Sequence, residues 1–470
     1  MKRLFLIAVV VCMAVRMNAQ TPSAATQPGA GSQAVAATPA AYSASTPVNF
    51  VRSYDVLVPT TAVAPTSDIA YVIATNRSIS EVKQTTGYFD GLGRPMQTVA
   101  KAQSPAGYDM VSPVVYDGFG REVYKYMPYI STGSTGDFKQ NPFAEQNTML
   151  KNYYNPGNDP AGEQYFYGKT DYEASSLNRV TKTYAPGNNW VGDATGIGVQ
   201  YLNNTQTEQV RVWDIGIANG SMPATGSVYA NGKLGKMVTT DEKGMKVIEY
   251  KDKKGLTILK KVQLGTTPSI QHNGWLCTYY VYDDIGRLRF VIPPKATDWL
   301  ESNSWAFEST AWSSSTVGKE LCFSYEYDDE GRMIVKRVPG AGEVYMVYDA
   351  RDRMIMMQDE NMRNPPSGGQ GGWMVSVYDA LNRPTQTGLL TDNNTRAYHQ
   401  AAAQNSTTYP VTTGTNFELL TETYYDDYTD ISSNGSTLRT TLITTNINNT
   451  DYFYTPDNTT FPYPQAIPAS

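Results

Sequence analysis

Six times this chain writes an aromatic residue, an aspartate, two permissive positions, a residue tolerant of positive φ, and an arginine. The copies run Phe89-Asp90 to Gly93-Arg94, Tyr116-Asp117 to Gly120-Arg121, and Tyr282-Asp283 to Gly286-Arg287. They continue with Tyr327-Asp328 to Gly331-Arg332, Tyr348-Asp349 to Asp352-Arg353, and Tyr378-Asp379 to Asn382-Arg383. Two weaker copies keep only the Asp and the Gly, at Asp241 and Gly244 and at Asp252 and Gly255. The fifth position is always Gly, Asp or Asn, the residues that accept a left-handed backbone, and never a β-branched residue. That restriction points to a type I turn closed by one left-handed residue, the three-residue hairpin with a bulge. The Asp carboxylate is placed to accept backbone N–H bonds two or three residues on. The Arg opens the returning strand, where its guanidinium can stack on a neighbouring ring or meet the Asp.

A chain punctuated this way is predicted to be all-β with a few short helices. One hairpin is marginal alone, so the copies are expected to add strands to a growing antiparallel ribbon. The sheet then needs curvature or closure to hide its faces and edges. Neighbouring aromatics are separated by 27, 45, 21 and 30 residues where they cluster, too uneven for equal propeller blades. Composition agrees: 34 tyrosines favour strands, and 38 glycines with 27 prolines supply turns. "PFAEQNTMLKNY" after Asn141 and "PPKATDWLESN" from Pro293 are the exceptions, read as short helices opened by proline.

The net charge is −6, with no basic block of the kind that neutralises phosphates, so a nucleic-acid partner is not expected. Lys2 and Arg3 precede an apolar run from Leu4 to Val15, and a small residue follows at Ala19. This pattern predicts a signal peptide over 1–19, cleaved after Ala19, and a secreted or cell-surface protein. The run is too short for a membrane span, and no second one follows, so no transmembrane segment is expected in the mature chain. Residues 20–47, built from Ala, Thr, Ser, Pro, Gly and Gln, are expected to form a flexible linker. The predicted organisation continues with a β domain carrying degenerate hairpins over 48–265, a repeat region over 266–450 and a disordered tail over 451–470.

These motifs resemble the RHS/YD-repeat proteins, shared by bacterial polymorphic toxins and animal teneurins. "NFVRSYDVLVP", "YFDGLGRPMQTV", "PVVYDGFGREVYKYMPY", "SSLNRVTKTYAPGNNW" and "TTDEKGMKVIEYKDKKG" further resemble the uncharacterised N-terminal domain that precedes the repeats in exported bacterial RHS proteins. The resemblance implies a β-ribbon wound into a partial or open spiral shell that encloses or scaffolds a protein cargo. The junction at which such shells cleave themselves is missing, so no cleavage residues carry over. The expected partner is a cargo or the remainder of a split shell.

The other constellations are sparse. Cys277 and Cys322 each stand five residues before a motif Tyr. A disulfide between them and two buried free thiols both remain open. Paired carboxylates at Asp283-Asp284 and Asp328-Asp329 suggest calcium, but the second acid is lost in the other copies, which favours a turn. No metal, cofactor or catalytic residue is expected, and the protein is read as non-enzymatic. The alternative reading is an adhesin or glycan-binding module built on Trp299, Trp305 and Trp312, with surface glycans as its partner.

Overall fold

The computed structural model describes residues 33–57, 78–160, 162–365 and 368–425. The expected signal peptide, the first part of the linker and the expected disordered tail lie outside them. The chain divides into two compact units, Met1–Val199 with Asp241–Lys243, and Gln200–Thr240 with Gly244–Ser470. The sequence predicts a boundary at 265, ahead of the four strong copies from Tyr282 onward. The weak copies at Asp241 and Asp252 still make turns of the same kind, so the ladder starts earlier.

In the first unit, β1 (Asn49–Val56), β2 (Val82–Phe89), β3 (Pro95–Ala100) and β4 (Met110–Pro113) form consecutive antiparallel pairs. β5 (Tyr124–Tyr126) leaves that sheet, and β6 (Tyr129–Ile130) rejoins it beside β4. β5 pairs with β7 (Tyr167–Tyr172), which pairs with β8 (Val180–Tyr184) and then with the start of β9 (Ile197–Asn203). The predicted helix runs Pro142–Tyr154, with proline in its first turn, and buries Phe143 and Leu150. Alternation builds the core: Val82, Gln84, Thr86 and Tyr88 all point inward from β2.

Residues 33–47 have no regular structure, yet they are held by the first unit. The Ala36 N–H donates to Tyr167 Oη at 2.7 Å, and the Tyr42 N–H donates to the Gln140 carbonyl at 2.7 Å. The Tyr42 ring packs 5.3 Å from Phe138. From Gln33 onward, the segment expected as a flexible linker therefore runs as an extended strap whose backbone groups find partners on the body.

In the second unit, β10 (Arg211–Asp214) and β11 (Ala224–Val228) form a separate ribbon. Then β12 (Gly235–Thr240), β13 (Lys246–Lys251), β14 (Thr257–Gln263), β15 (Trp275–Tyr282) and β16 (Leu288–Ile292) follow in chain order. β17 (Phe323–Tyr327), β18 (Met333–Val338), β19 (Gly342–Tyr348), β20 (Met354–Gln358), β21 (Gly372–Tyr378), β22 (Pro384–Thr391) and β23 (Phe417–Glu422) continue the series. Each strand pairs with the next, antiparallel throughout, and the series ends on β23 without closing into a barrel. The fold is thus all-β with a few short helices.

Trp275, Cys277, Tyr279 and Val281 alternate inward from β15 and are covered by Ala296 and Leu300 of the second predicted helix, Pro294–Ser302. A second core forms around Trp373, Val347, Met356 and Val375. At about 25 cal/mol per Å² of apolar area buried, such inward rows dominate the stability of the sheet. Among the described residues, no helix is long and apolar enough to cross a membrane.

Candidate functional site: a ladder of bulged turns

All six predicted turns adopt one geometry. The fifth residue is left-handed in every copy: φ is +78° at Gly93, +77° at Gly120, +90° at Gly286, +81° at Gly331, +58° at Asp352 and +63° at Asn382. The weak copies share it, with Gly244 at +84° and Gly255 at +83°. In each strong copy, the N–H of the fifth residue donates to the Asp carbonyl and the Asp N–H donates to the Arg carbonyl. The register slips by one residue at the motif aromatic in β2, β15, β17, β19 and β21, which is the bulge.

The turn at Asp117 and Gly120 corrects one expectation. Its geometry is that of the others, but it is not a hairpin tip. β4 before it and β5 after it belong to different sheets, so this copy serves as a crossover.

The aspartate does more than the sequence suggested. Its Oδ1 accepts from the Arg N–H four residues on, as from Arg94 at 2.9 Å, Arg332 at 2.8 Å and Arg353 at 3.0 Å. At Asp90, Asp117, Asp349 and Asp379 it also accepts from the N–H two residues on. Oδ2 takes the same arginine's side chain, at 2.8 Å from Arg287 Nε and 2.7 Å from Arg353 Nε. The Arg94, Arg121 and Arg383 backbone N–H groups lead the interactions that hold Asp90, Asp117 and Asp379 below the usual carboxylate range. At Asp283 and Asp349 burial pushes the other way, and the Arg287 and Arg353 hydrogen bonds together outweigh it.

Each arginine also reaches the next copy. Arg94 stacks on Tyr116 at 4.8 Å, Arg121 on Tyr172 at 4.7 Å and Arg287 on Tyr327 at 5.0 Å. Arg332 covers Tyr348 at 5.0 Å, Arg353 covers Tyr378 at 5.1 Å and Arg383 covers Tyr425 at 4.4 Å. Four of the six covered tyrosines return a bond, donating the hydroxyl to the first carbonyl after that arginine. Tyr327 reaches Leu288 at 2.9 Å, Tyr348 reaches Met333 at 2.8 Å, Tyr378 reaches Met354 at 3.0 Å and Tyr425 reaches Pro384 at 3.0 Å. Tyr327, Tyr348, Tyr378 and Tyr425 are thereby clamped to the preceding turn on both counts.

The same clamp explains which residues replace glycine. Asp352 Oδ1 accepts from Arg332 Nη1 at 2.6 Å, and Asn382 Oδ1 accepts from Arg353 Nη1 at 3.1 Å. A short polar side chain in the left-handed slot thus offsets its strain with a bond to the preceding arginine. Tyr327→Phe keeps the stacked ring and removes only the hydroxyl. Urea unfolding should show a loss of about 1 kcal/mol, the net worth of one partly buried hydrogen bond.

One turn escaped the sequence reading. Between β7 and β8, Tyr172 receives Arg121, Asn178 is left-handed at φ +51°, and Arg179 binds Glu173 through Nε at 2.9 Å. Asn178 Oδ1 accepts from Arg121 at 3.0 Å, as Asn382 does from Arg353. A longer acid and two extra residues break the regular spacing. The Asn-Arg pair at 178–179, matching 382–383, was the available signal.

The disulfide is ruled out by strand order. Cys277 lies on β15 and Cys322 just before β17, with β16 between them. Two strand spacings amount to roughly 10 Å, beyond the reach of a disulfide. Both are free buried thiols, and burial pushes Cys277 up to about 12. The tryptophan platform also fails. Trp305 and Trp312 are buried in the core, and Trp299 packs against it. Trp305 lies under the Arg211 guanidinium at 4.7 Å and beside the His272 ring at 4.7 Å. The paired acids separate as well, since Asp283 is buried in its turn while Asp284 faces solvent.

Residues 61–203 match the family described as a domain of unknown function, DUF6443. No curated protein matches the chain. Among solved structures, the chain is similar to the crystal structure of TcdB2-TccC3-TEV, at 15% identity and a TM-score of 0.41, covering 68% of this chain and 13% of that one. It is also similar to TcdB2-TccC3-Cdc42, at 16% identity, a TM-score of 0.40, and 67% and 13% coverage. TcdB2-TccC3 without its hypervariable C-terminal region gives 15%, 0.41, 67% and 13%. The chain therefore spans only a small part of the length of these proteins.

Proposed function

We propose that this protein is an exported, non-enzymatic YD-repeat scaffold, corresponding to the front part of an RHS-type shell that encloses or supports a protein cargo. The observation that carries this reading is the ladder itself. The motif's carboxylate, guanidinium and phenol are spent on one another and on the adjacent copy, so the repeated residues build wall. The DUF6443 match over 61–203 supports it, because that span overlaps the segments resembling the N-terminal domain of exported RHS proteins. Export rests on the Lys2-Arg3 start and the apolar run that follows.

The test is co-expression with the product of the adjacent reading frame, followed by limited proteolysis. A scaffold predicts a co-purifying complex in which the second protein resists digestion, and a secreted chain that begins at Gln20. A second protein that neither co-purifies nor gains protection would overturn the reading.

A further inference from the structure

In the second unit, an open cavity of about 590 Å3 lies beside the short helix Arg396–Ala403. Its size is that of a small-molecule site, and the turn ladder makes no use of it. Its walls are polar and almost fully self-paired. Glu326 binds Arg337 and accepts from the Gly220 N–H at 2.8 Å. Glu343 accepts from Arg337 Nε at 2.6 Å and from the Tyr345 hydroxyl at 2.5 Å. Arg363 pairs with Glu360 at 2.8 Å and stacks on the Tyr345 ring at 4.0 Å. Asp392 accepts from the Asn394 N–H at 2.7 Å.

One charge is left over. Arg396 lines the cavity, is half-buried, and makes no hydrogen bond or ion pair among the described residues, with Glu326 and Asp328 acting on its charge only from a distance. A partly desolvated guanidinium without an acceptor is costly unless a ligand supplies one. Its planar fork suits a carboxylate or another oxyanion. Around it stand amides with bonding capacity to spare. Asn393 uses its Oδ1 on the Gly371 N–H at 2.7 Å, which leaves its N–H donors, and Asn219 and Asn394 also line the space. Asp392 Oδ1 lies 3.8 Å from Nε2 of the fully buried His399, an atom with no hydrogen-bond partner. Mixed donors and acceptors beside an apolar floor of Ile334, Val335 and the Tyr345 ring fit a sugar, which carries both hydroxyl groups and an apolar ring face.

We infer that this cavity binds a sugar acid, with its carboxylate on Arg396 and its hydroxyls on the surrounding amides and carboxylates. The site is independent of the scaffold reading and of the buried tryptophans.

Calorimetric titration of the whole chain with glucuronate, glucose and inorganic phosphate tests this. Glucuronate should bind at least about tenfold more tightly than glucose, since a charge-assisted pair alone is worth that factor, and more tightly than phosphate, which pairs with Arg396 but offers no sugar hydroxyls to the amides. Arg396→Gln should weaken glucuronate by about tenfold or more. Asn394→Asp, at an exposed position where folding is not at stake, should weaken it several-fold by repulsion. Phosphate binding as tightly as glucuronate would mean an anion site without sugar recognition and would overturn the proposal. So would equal binding of glucose, no binding of glucuronate at tens of millimolar, or glucuronate affinity unchanged in both variants.

Discussion

Asp349→Ala is expected to destabilise the second unit by about 3–5 kcal/mol, the range seen when one partner of a buried ion pair is removed. Asp349 is only 1% exposed, and its carboxylate accepts four bonds. Two come from the Arg351 and Arg353 backbone N–H groups and two from the Arg353 guanidinium. Alanine would leave all four donors short of an acceptor and strand a charge whose other contacts are the Tyr378 ring and the carbonyls and amide around it. Urea unfolding followed by tyrosine fluorescence measures the loss. The same substitution at Asp90, Asp117 or Asp379 should cost less, because those turns are open to water, which can solvate the orphaned groups. An equal loss at all sites would mean that burial does not set the cost.

Acid should weaken the second unit well before its carboxylates titrate, because of His272. The ring is buried, with Nε2 2.7 Å from the Tyr279 hydroxyl. Burial, with Lys261 and Arg211 nearby, pushes its pKa down to about 3. An unfolded histidine titrates near 6.5, so below that pH the unfolded chain binds a proton that the folded chain refuses. Stability is therefore complete above about pH 6.5 and falls as pH drops towards 3. The loss amounts to about 2 kcal/mol at pH 5. His399, buried by its own core, acts with the same sign. Asp90, Asp117, Asp283, Asp349 and Asp379 act in a lower window. Their folded pKa values are depressed, so their contribution is present above about pH 4 and is lost below it. Comparing unfolding free energies at pH 7.5 and pH 5 for the native chain and for His272→Gln isolates the histidine. The variant should lose about 2 kcal/mol less over that interval, and identical slopes would show that His272 is protonated in the folded state.

The turns were legible because their chemistry is local. At the six strong turns the left-handed residue is always Gly, Asn or Asp, the residues that adopt that conformation at least cost, so Gly331, Asp352 and Asn382 announce the same bend without knowledge of the fold. The two proline-opened helices were legible for the same reason. The clamp between copies was only half visible. Stacking on a neighbouring ring was anticipated for the arginines, but which ring depends on register. Pairing Arg332 with Tyr348 requires knowing that β18 and β19 are neighbours. Equal register of Cys277 and Cys322 suggested a bond that the intervening β16 forbids, since spacing along a chain does not fix adjacency across a sheet. The crossover at Asp117 was hidden because the turn is identical whether or not its arms pair. The cavity beside Arg396 draws on residues from 219 to 397 and had no local signature.

The central claim is that backbone stereochemistry at the bends dictates the repeated spelling. Gly331→Ala tests it most directly, since a Cβ there would meet nothing within 4 Å and the turn lies at φ +81°. No packing, charge or hydrogen bond changes, so only the backbone can object. Equilibrium unfolding should show a loss of about 1–2 kcal/mol, the cost of a left-handed non-glycine residue. An alanine variant as stable as the native chain would contradict the account.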